Sequence, residues 1–407
     1  MSKRLLSWAA GRGIVVSPGL DFYAPTQSGR GVRALADIEP DELLCLVPLE
    51  ACPGHELQLS EDEVPSVARV VRCAFGNSVL GMALLLMREL GLGDESVHAP
   101  FLDTVPEEFN NLPFFEKEEL AWLEGTGLAT LGLAGKAEAE GHRHLSPQYW
   151  WGAPEVRLHF ESSLRPFLEM HAAWWPDRSF RCFQRALGAV LSRGFFCGER
   201  GPFMVPFADA FNHATLGQNH CRLEGCASDG LAFVMRAVKD VGVGEEAFNS
   251  YGPLSSARLL SSFGFASPGA NPYDFRLLRI PEMLLEGVGR PHEAVLRKAA
   301  TSLLATLRKA LDRRSRRSLQ KKYKDGKASN PSTLPKTARK SALPPGAPAV
   351  KIARASLHRV VRRLLVPVEH KGQRWQQVEQ YRNAEARYLQ DVDCSLARLL
   401  ERTRLPS

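Results

Sequence analysis

A chain of 407 residues, 44% hydrophobic and 24% charged, is long enough for a large core and more than one domain, and its composition excludes a disordered or fibrous protein. Eight irregularly spaced cysteines make no disulfide framework, and no leader-like apolar region follows Met1, so reduced thiols in a cytoplasmic or nuclear protein are expected. The net charge of +7 is local: residues 308–340 hold thirteen Lys or Arg against two Asp, leaving the rest of the chain at −4, which argues against nucleic-acid binding except through that segment.

In chain order, residues 14–65 open with strand-like runs, "GVRALADI" and "ELLCLVP", separated by the turn signal "EPDE". Residues 66–92 read as helical, with Gly91 as the glycine that ends the helix. The apolar run "VLGMALLLM" within it is too short for a membrane span and implies a buried helix. Helical and aromatic material continues to about residue 190, including "EKEELAWLE" and "FQRALGAVL". Short strands then return within a segment, 186–275, that completes the β core, clearest at "GLAFVMRAV" and "EEAFNSY", with "DVGVGEE" as the turn between them. Residues 276–407 are helical again. Trp375, Val378, Tyr381, Tyr388, Val392, Leu396 and Leu399 keep helical spacing, and a Lys-, Arg-, Ser- and Pro-rich stretch at about 313–350 should be a disordered loop or a targeting segment. The expected class is α+β: a β core of short strands carrying an inserted helical lobe, then an all-α C-terminal domain.

The densest chemistry lies in "FADAFNHATLGQNHCRLEGC", from Phe207 to Cys226. His213, His220, Cys221 and Cys226 give H-x6-H-C-x4-C, which fits structural zinc spacing poorly, so no metal is assigned. "SGRG" at Ser28–Gly31 lacks the third glycine and the following helix of a dinucleotide fingerprint. No G-x-S-x-G or Cys-His pattern marks a hydrolase nucleophile.

Taken together, "SGRGVRALADIEPDELLCLVP", "PFLDTVPEEFNNLPFFEKEELAWLEGT", "LSRGFF", "MVPFADAFNH", "GVGEEAFNSYGPLSSARLLSSFGFASPGANP" and, more weakly, "QYRNAEARYLQ" resemble SET-domain protein methyltransferases of the Rubisco large-subunit lysine methyltransferase type, in the same order along nearly the whole chain. That resemblance implies S-adenosylmethionine as cofactor and a protein lysine as acceptor. It implies that Ser28, Gly29 and Arg30 lie along the cofactor, that Ser192 and Arg193 line the cofactor and substrate sites, and that Asn212 and His213 bind the cofactor. Asp209 would face the substrate channel, Tyr251 would be catalytic, Phe263 would meet the substrate, and Phe265 would pack on the cofactor's adenine. The chain departs from the family after Tyr251: Ser256 stands for Asn, Arg258 for Glu and Phe263 for Tyr. Those changes keep two alternatives open, a histidine acceptor on the same fold and a catalytically silent interaction module. The lack of a Cys-rich segment after Tyr251 implies that no zinc closes the channel.

Overall fold

In a computed structural model, residues 1–129, 152–197, 200–224, 232–267, 271–274 and 372–402 are described. The chain divides into two compact units. Residues 1–275 and 368–385 form the first, and residues 276–367 and 386–407 the second. The basic stretch 308–340, the loop expected at about 313–350 and the part of the helical region 276–407 that precedes residue 372 lie outside the described residues.

The first unit begins with a helix that the sequence reading missed, α1 (Lys3–Gly11), capped by Ser2 Oγ accepting the Leu5 N–H and anchored by buried Leu5 and Ala9. The strands follow: β1 (Val15–Val16), β2 (Leu20–Thr26), β3 (Gly29–Ala34) and β4 (Leu43–Pro48). β2 and β3 form an antiparallel hairpin whose register shifts between Phe22 and Ala24, a bulge that leaves Tyr23 with φ 60°. Strand β4 joins a four-stranded antiparallel sheet in the order β1-β4-β9-β8, with β8 at Cys221–Glu224 and β9 at Ala232–Ala237.

The helical lobe interrupts this β core. Its expected single helix is two, α2 (Ser66–Phe75) and α3 (Val79–Leu92), because the chain breaks at Gly76 and Ser78 starts a new helix by accepting the Gly81 N–H. The expected stop at Gly91 is corrected as well. Gly91 remains helical, and the left-handed residue is Gly93 at φ 56°, where a side chain would be strained. As the all-apolar sequence implied, α3 is buried on every side from Leu80 to Met87. It packs on α8 (Phe180–Arg193), and Trp175 Nε1 donates to the Leu84 carbonyl between them. The lobe also contains α4 (Ala99–Leu102), α5 (Lys117–Ala121), α6 (Gly152–His159) and α7 (Arg165–Met170).

Two features carry the chain from the lobe to the segments of interest. Helix α8 runs into the hairpin β5 (Gly194–Cys197) and β6 (Arg200–Met204). Farther on, β7 (Asn212–His213) pairs in parallel with β10 (Phe248–Asn249), so that residues 212–213 and 248–251 run side by side. Asn111, fully buried, donates through Nδ2 to the carbonyls of Gly188 on α8 and Ser262 in the wide helical turn Leu259–Phe263. Asn111→Leu should destabilise the fold by about 2 kcal/mol in chemical denaturation, the cost falling mainly on Ser262, since the Gly188 carbonyl keeps the Ser192 hydroxyl.

The last described helix, α9 (Gln373–Arg402), contributes its first half to this unit. Arg374 pairs with Glu119 and donates to the Phe114 carbonyl. Tyr381 accepts the Leu128 N–H, Glu385 accepts the Gly127 N–H, and Gln377 accepts the N–H of Ala266. Trp375, Val378 and Tyr381 join a small core with Phe115, Leu123 and Leu260, the face expected from their helical spacing.

Candidate active site

The parallel pairing of β7 and β10 makes the site. It brings Tyr251 to His213 although 37 residues separate them: the Tyr251 N–H donates to His213 Nδ1 at 3.0 Å, and the Tyr251 hydroxyl donates to the Phe211 carbonyl at 2.9 Å. The Phe263 ring stacks on Tyr251, with centroids 4.8 Å apart and planes at 29°. Phe265 meets His213, Tyr251 and Phe263 at 6.0 to 6.4 Å. Four of the residues singled out in the sequence therefore form one aromatic group. Burial pushes the Tyr251 phenol up to about 12 and the His213 imidazolium down to about 4, so at neutral pH both groups are uncharged.

Asn212 lies at the other side of this strand pair. Its Nδ2 donates to the Arg30 carbonyl at 3.0 Å and to Glu246 Oε1 at 2.7 Å. Both partners are acceptors, so the amide's two hydrogens must face them and Oδ1 is left as an acceptor. Glu246 was not singled out in the sequence. It arrives because the segment before β10 runs along β3, with Ala34 donating to Glu245 and Ala247 donating to Val32. Gly31 makes this approach feasible: a Cβ there would overlap Glu246 Oε1 and come within 2.7 Å of Asn212 Nδ2. The second glycine of "GRG" thus has a steric reason that its tripeptide context did not reveal. A cavity of about 730 Å³, lined in part by Ser28, Glu246, His220 and Phe248, borders this contact but not the aromatic group.

Arg193, at the end of α8, donates through Nη1 to the backbone carbonyl of Asp209 at 2.8 Å and to its Oδ2 at 3.3 Å, while its Nε is buried without a partner. The Asp209 side chain has 0% exposure, its carboxylate being enclosed by Arg193 on one oxygen and the Tyr23 hydroxyl on the other. Burial pushes the Asp209 carboxyl up from its usual range, against the pull of Arg193 and of the Tyr23 hydroxyl. Ser192 spends its hydroxyl on the Gly188 carbonyl of its own helix. Ser28 and Gly29 sit exposed at the tip of the β2–β3 hairpin, and the Arg30 guanidinium covers the Tyr23 ring and donates to the Thr104 carbonyl.

The residues demoted in the sequence have structural roles where they are described. His220 Nδ1 accepts the Phe248 N–H, Cys221 is buried in β8, and Cys226 lies outside the described residues. The departures after Tyr251 are also accommodated. Asp274 accepts both the Ser256 N–H and its hydroxyl, at 2.6 and 3.0 Å, and Asn271 Nδ2 donates to the Leu254 carbonyl. Sequence reasoning could not pair Ser256 with "NPYD", whose meaning depends on this turn.

Glu246→Gln presents an amide NH2 that can compete for the Arg30 and Asn212 groups. If Oδ1 of Asn212 serves the cofactor, affinity for S-adenosylmethionine should fall about tenfold by calorimetry, the loss of roughly one hydrogen bond to a charged group.

The SET-domain family model matches residues 29–252, more than half of the chain. Among curated relatives, the N-lysine methyltransferase SETD6 of Rattus norvegicus is 26% identical over 311 residues, 72% of this chain and 60% of that protein. The actin-histidine N-methyltransferase of Homo sapiens is 24% identical over 272 residues, 64% of this chain and 41% of that protein. The chain spans about 60% of the length of the first of these relatives. Among solved structures, Rubisco LSMT bound to sinefungin and monomethyllysine superposes with a TM-score of 0.59 at 17% identity, covering 98% of this chain and 92% of that one, and Rubisco LSMT bound to AdoMet gives 0.56 at 18%, covering 97% and 91%. With the interrupted β core, the parallel pairing of β7 with β10 and a family match running from the β3 glycines to Gly252, the chain belongs to the SET-domain family.

Proposed function

We propose that this chain is an S-adenosylmethionine-dependent protein N-methyltransferase acting on a lysine side chain of a protein other than a histone. The observation that carries the reading is the joining of Tyr251, fixed on the Phe211 carbonyl, with Asn212, whose Nδ2 is held by two acceptors, by one parallel strand pair. Relatives named as N-lysine and actin-histidine methyltransferases support it.

The donor set suits the cofactor. An unpartnered Nε on Arg193 and the free Oδ1 of Asn212 offer one donor and one acceptor to an amino-acid end that carries both charges. In this reading Ser28, Gly29, Arg30, Ser192, Asn212, His213 and Phe265 hold the cofactor, with Arg193, Asp209 and Phe263 toward the acceptor. Bound S-adenosylmethionine supplies an electrophilic methyl group on a sulfonium. Tyr251, protonated at neutral pH, is no base; its hydroxyl and the Phe211 carbonyl orient the acceptor and the transferring methyl by hydrogen bonding. His213 is too weak a base to serve, since burial holds its imidazolium down to about 4 and its Nδ1 already accepts the Tyr251 N–H. The acceptor nitrogen must lose its proton to solvent, so the rate should climb with pH toward the acceptor's own pKa.

A histidine acceptor is the second reading. Phe263 favours it, because a ring without a hydroxyl offers no acceptor to the N–H groups of a lysine amine. Mass spectrometry of proteins labelled in an extract by the purified chain tests both. Methyl-lysine supports the first, methyl-histidine the second, and no transfer above the Tyr251→Phe control removes both.

A further inference from the structure

We infer that Tyr23 is a positioning residue of this site: its hydroxyl holds the Asp209 carboxylate beneath Arg193 and so fixes the direction in which the guanidinium presents its remaining N–H groups. The inference rests on the reading of the site as a cofactor pocket, but its geometry stands alone. Tyr23 Oη donates to Asp209 Oδ1 at 2.7 Å and accepts the Phe207 N–H at 3.0 Å. Arg193 meets the other carboxylate oxygen, Oδ2. The chain is thus Phe207 N–H to Tyr23 hydroxyl, to Asp209, to Arg193, running from the β2 bulge to the end of α8.

The backbone supports the same conclusion. Three non-glycine residues among those described adopt a left-handed φ, namely Tyr23, Asp41 and Phe207. Two of the three meet at this one hydroxyl, and their rings lie 6.1 Å apart. A bulky residue at positive φ is strained and persists only where its surroundings hold it. An unbulged β2 would place the side chain at position 23 on a different course. The bulge therefore aims the hydroxyl at a carboxylate with no solvent exposure.

Asp209 is faced by Tyr23 from β2, Arg30 from β3 and Arg193 from α8, with Tyr251 and Cys45 within electrostatic reach. Burial lifts its carboxyl, and the Tyr23 O–H is one of the groups that pull it back. Removing that O–H lifts it further. A carboxyl that holds its proton to higher pH when folded than when unfolded lowers stability as pH rises between the two values. Tyr23→Phe widens that window, so its stability deficit against the unaltered protein should be smaller in acid and grow toward neutral pH. A purely structural loss would be the same at every pH.

The test measures unfolding by urea across mildly acidic to neutral pH for the unaltered protein, Tyr23→Phe, Asp209→Asn and the double variant, and S-adenosylmethionine affinity by calorimetry for the first two. Supporting results are a deficit that grows with pH in Tyr23→Phe, no such growth when Tyr23→Phe is made on Asp209→Asn, and cofactor affinity about tenfold weaker, equal to roughly 1.4 kcal/mol. A deficit flat with pH, or unchanged affinity, overturns the inference. If the unaltered protein binds no cofactor, the proposed function falls, and the pH series still decides whether Tyr23 governs Asp209. Should Tyr23→Phe fail to fold, Tyr23→Met, which also lacks the O–H and adds no titrating group, is measured in its place; a deficit against the unaltered protein that grows toward neutral pH supports the inference, and one flat with pH overturns it.

Discussion

Replacing Tyr251 with phenylalanine is expected to lower kcat for methyl transfer by about 10²–10³-fold, the range for deleting one preorganised polar group at a reacting centre. Cofactor affinity should change by no more than about threefold, because the interaction removed belongs to the transition state rather than to binding. The structure gives the reason for the split. The Tyr251 N–H to His213 bond is made by the backbone, and stacking on Phe263 needs only the ring, so both survive. What disappears is the hydroxyl on the Phe211 carbonyl. Steady-state labelling with a protein acceptor and calorimetry with S-adenosylmethionine read the two quantities separately. An unchanged kcat would show that the hydroxyl takes no part in the reaction.

The second large effect concerns stability. Asp209→Ala leaves Arg193 with only a backbone carbonyl and takes away the carboxylate that accepts the Tyr23 O–H. Breaking a buried pair by removing one partner costs about 3–5 kcal/mol. The Arg193 side chain keeps 21% exposure, so a loss of about 3 kcal/mol, at the low end, is expected in urea denaturation. Asp209→Asn, which keeps shape and one acceptor, should cost clearly less. Equal losses for the two would mean that the negative charge, which both variants remove, decides the cost and that the shape and acceptor kept by asparagine contribute nothing.

Much of this was readable in the sequence because the informative features were local. Short apolar runs bounded by turn signals marked β3, β4 and β9, the longer unbroken apolar run marked α3, and the Asn-His pair with its distant Tyr-Gly marked the segments that meet. Tyr23 and Glu246 were overlooked for a shared reason. Tyr23 owes its position to a bulge, and Glu246 owes its position to an edge of β3 that another segment happens to follow; neither is written in a window of neighbouring residues. Gly91 and Gly93 were confused because a helix tolerates glycine and only the backbone shows which one leaves it. Ser256 looked like a defect until its partner Asp274, 18 residues on, was placed.

The wide turn Leu259–Phe263 has a consequence for how such chains can change over time. A π-type turn holds one residue more than an α-turn. Deleting Ser261 would restore regular winding and swing Phe263 about 100° around the helix axis, off the face of Tyr251. Substitution can tune this wall gradually, but a single-residue deletion would remove it in one step. Lineages that retain Tyr251 should therefore vary in residue type across 259–263 while keeping its length.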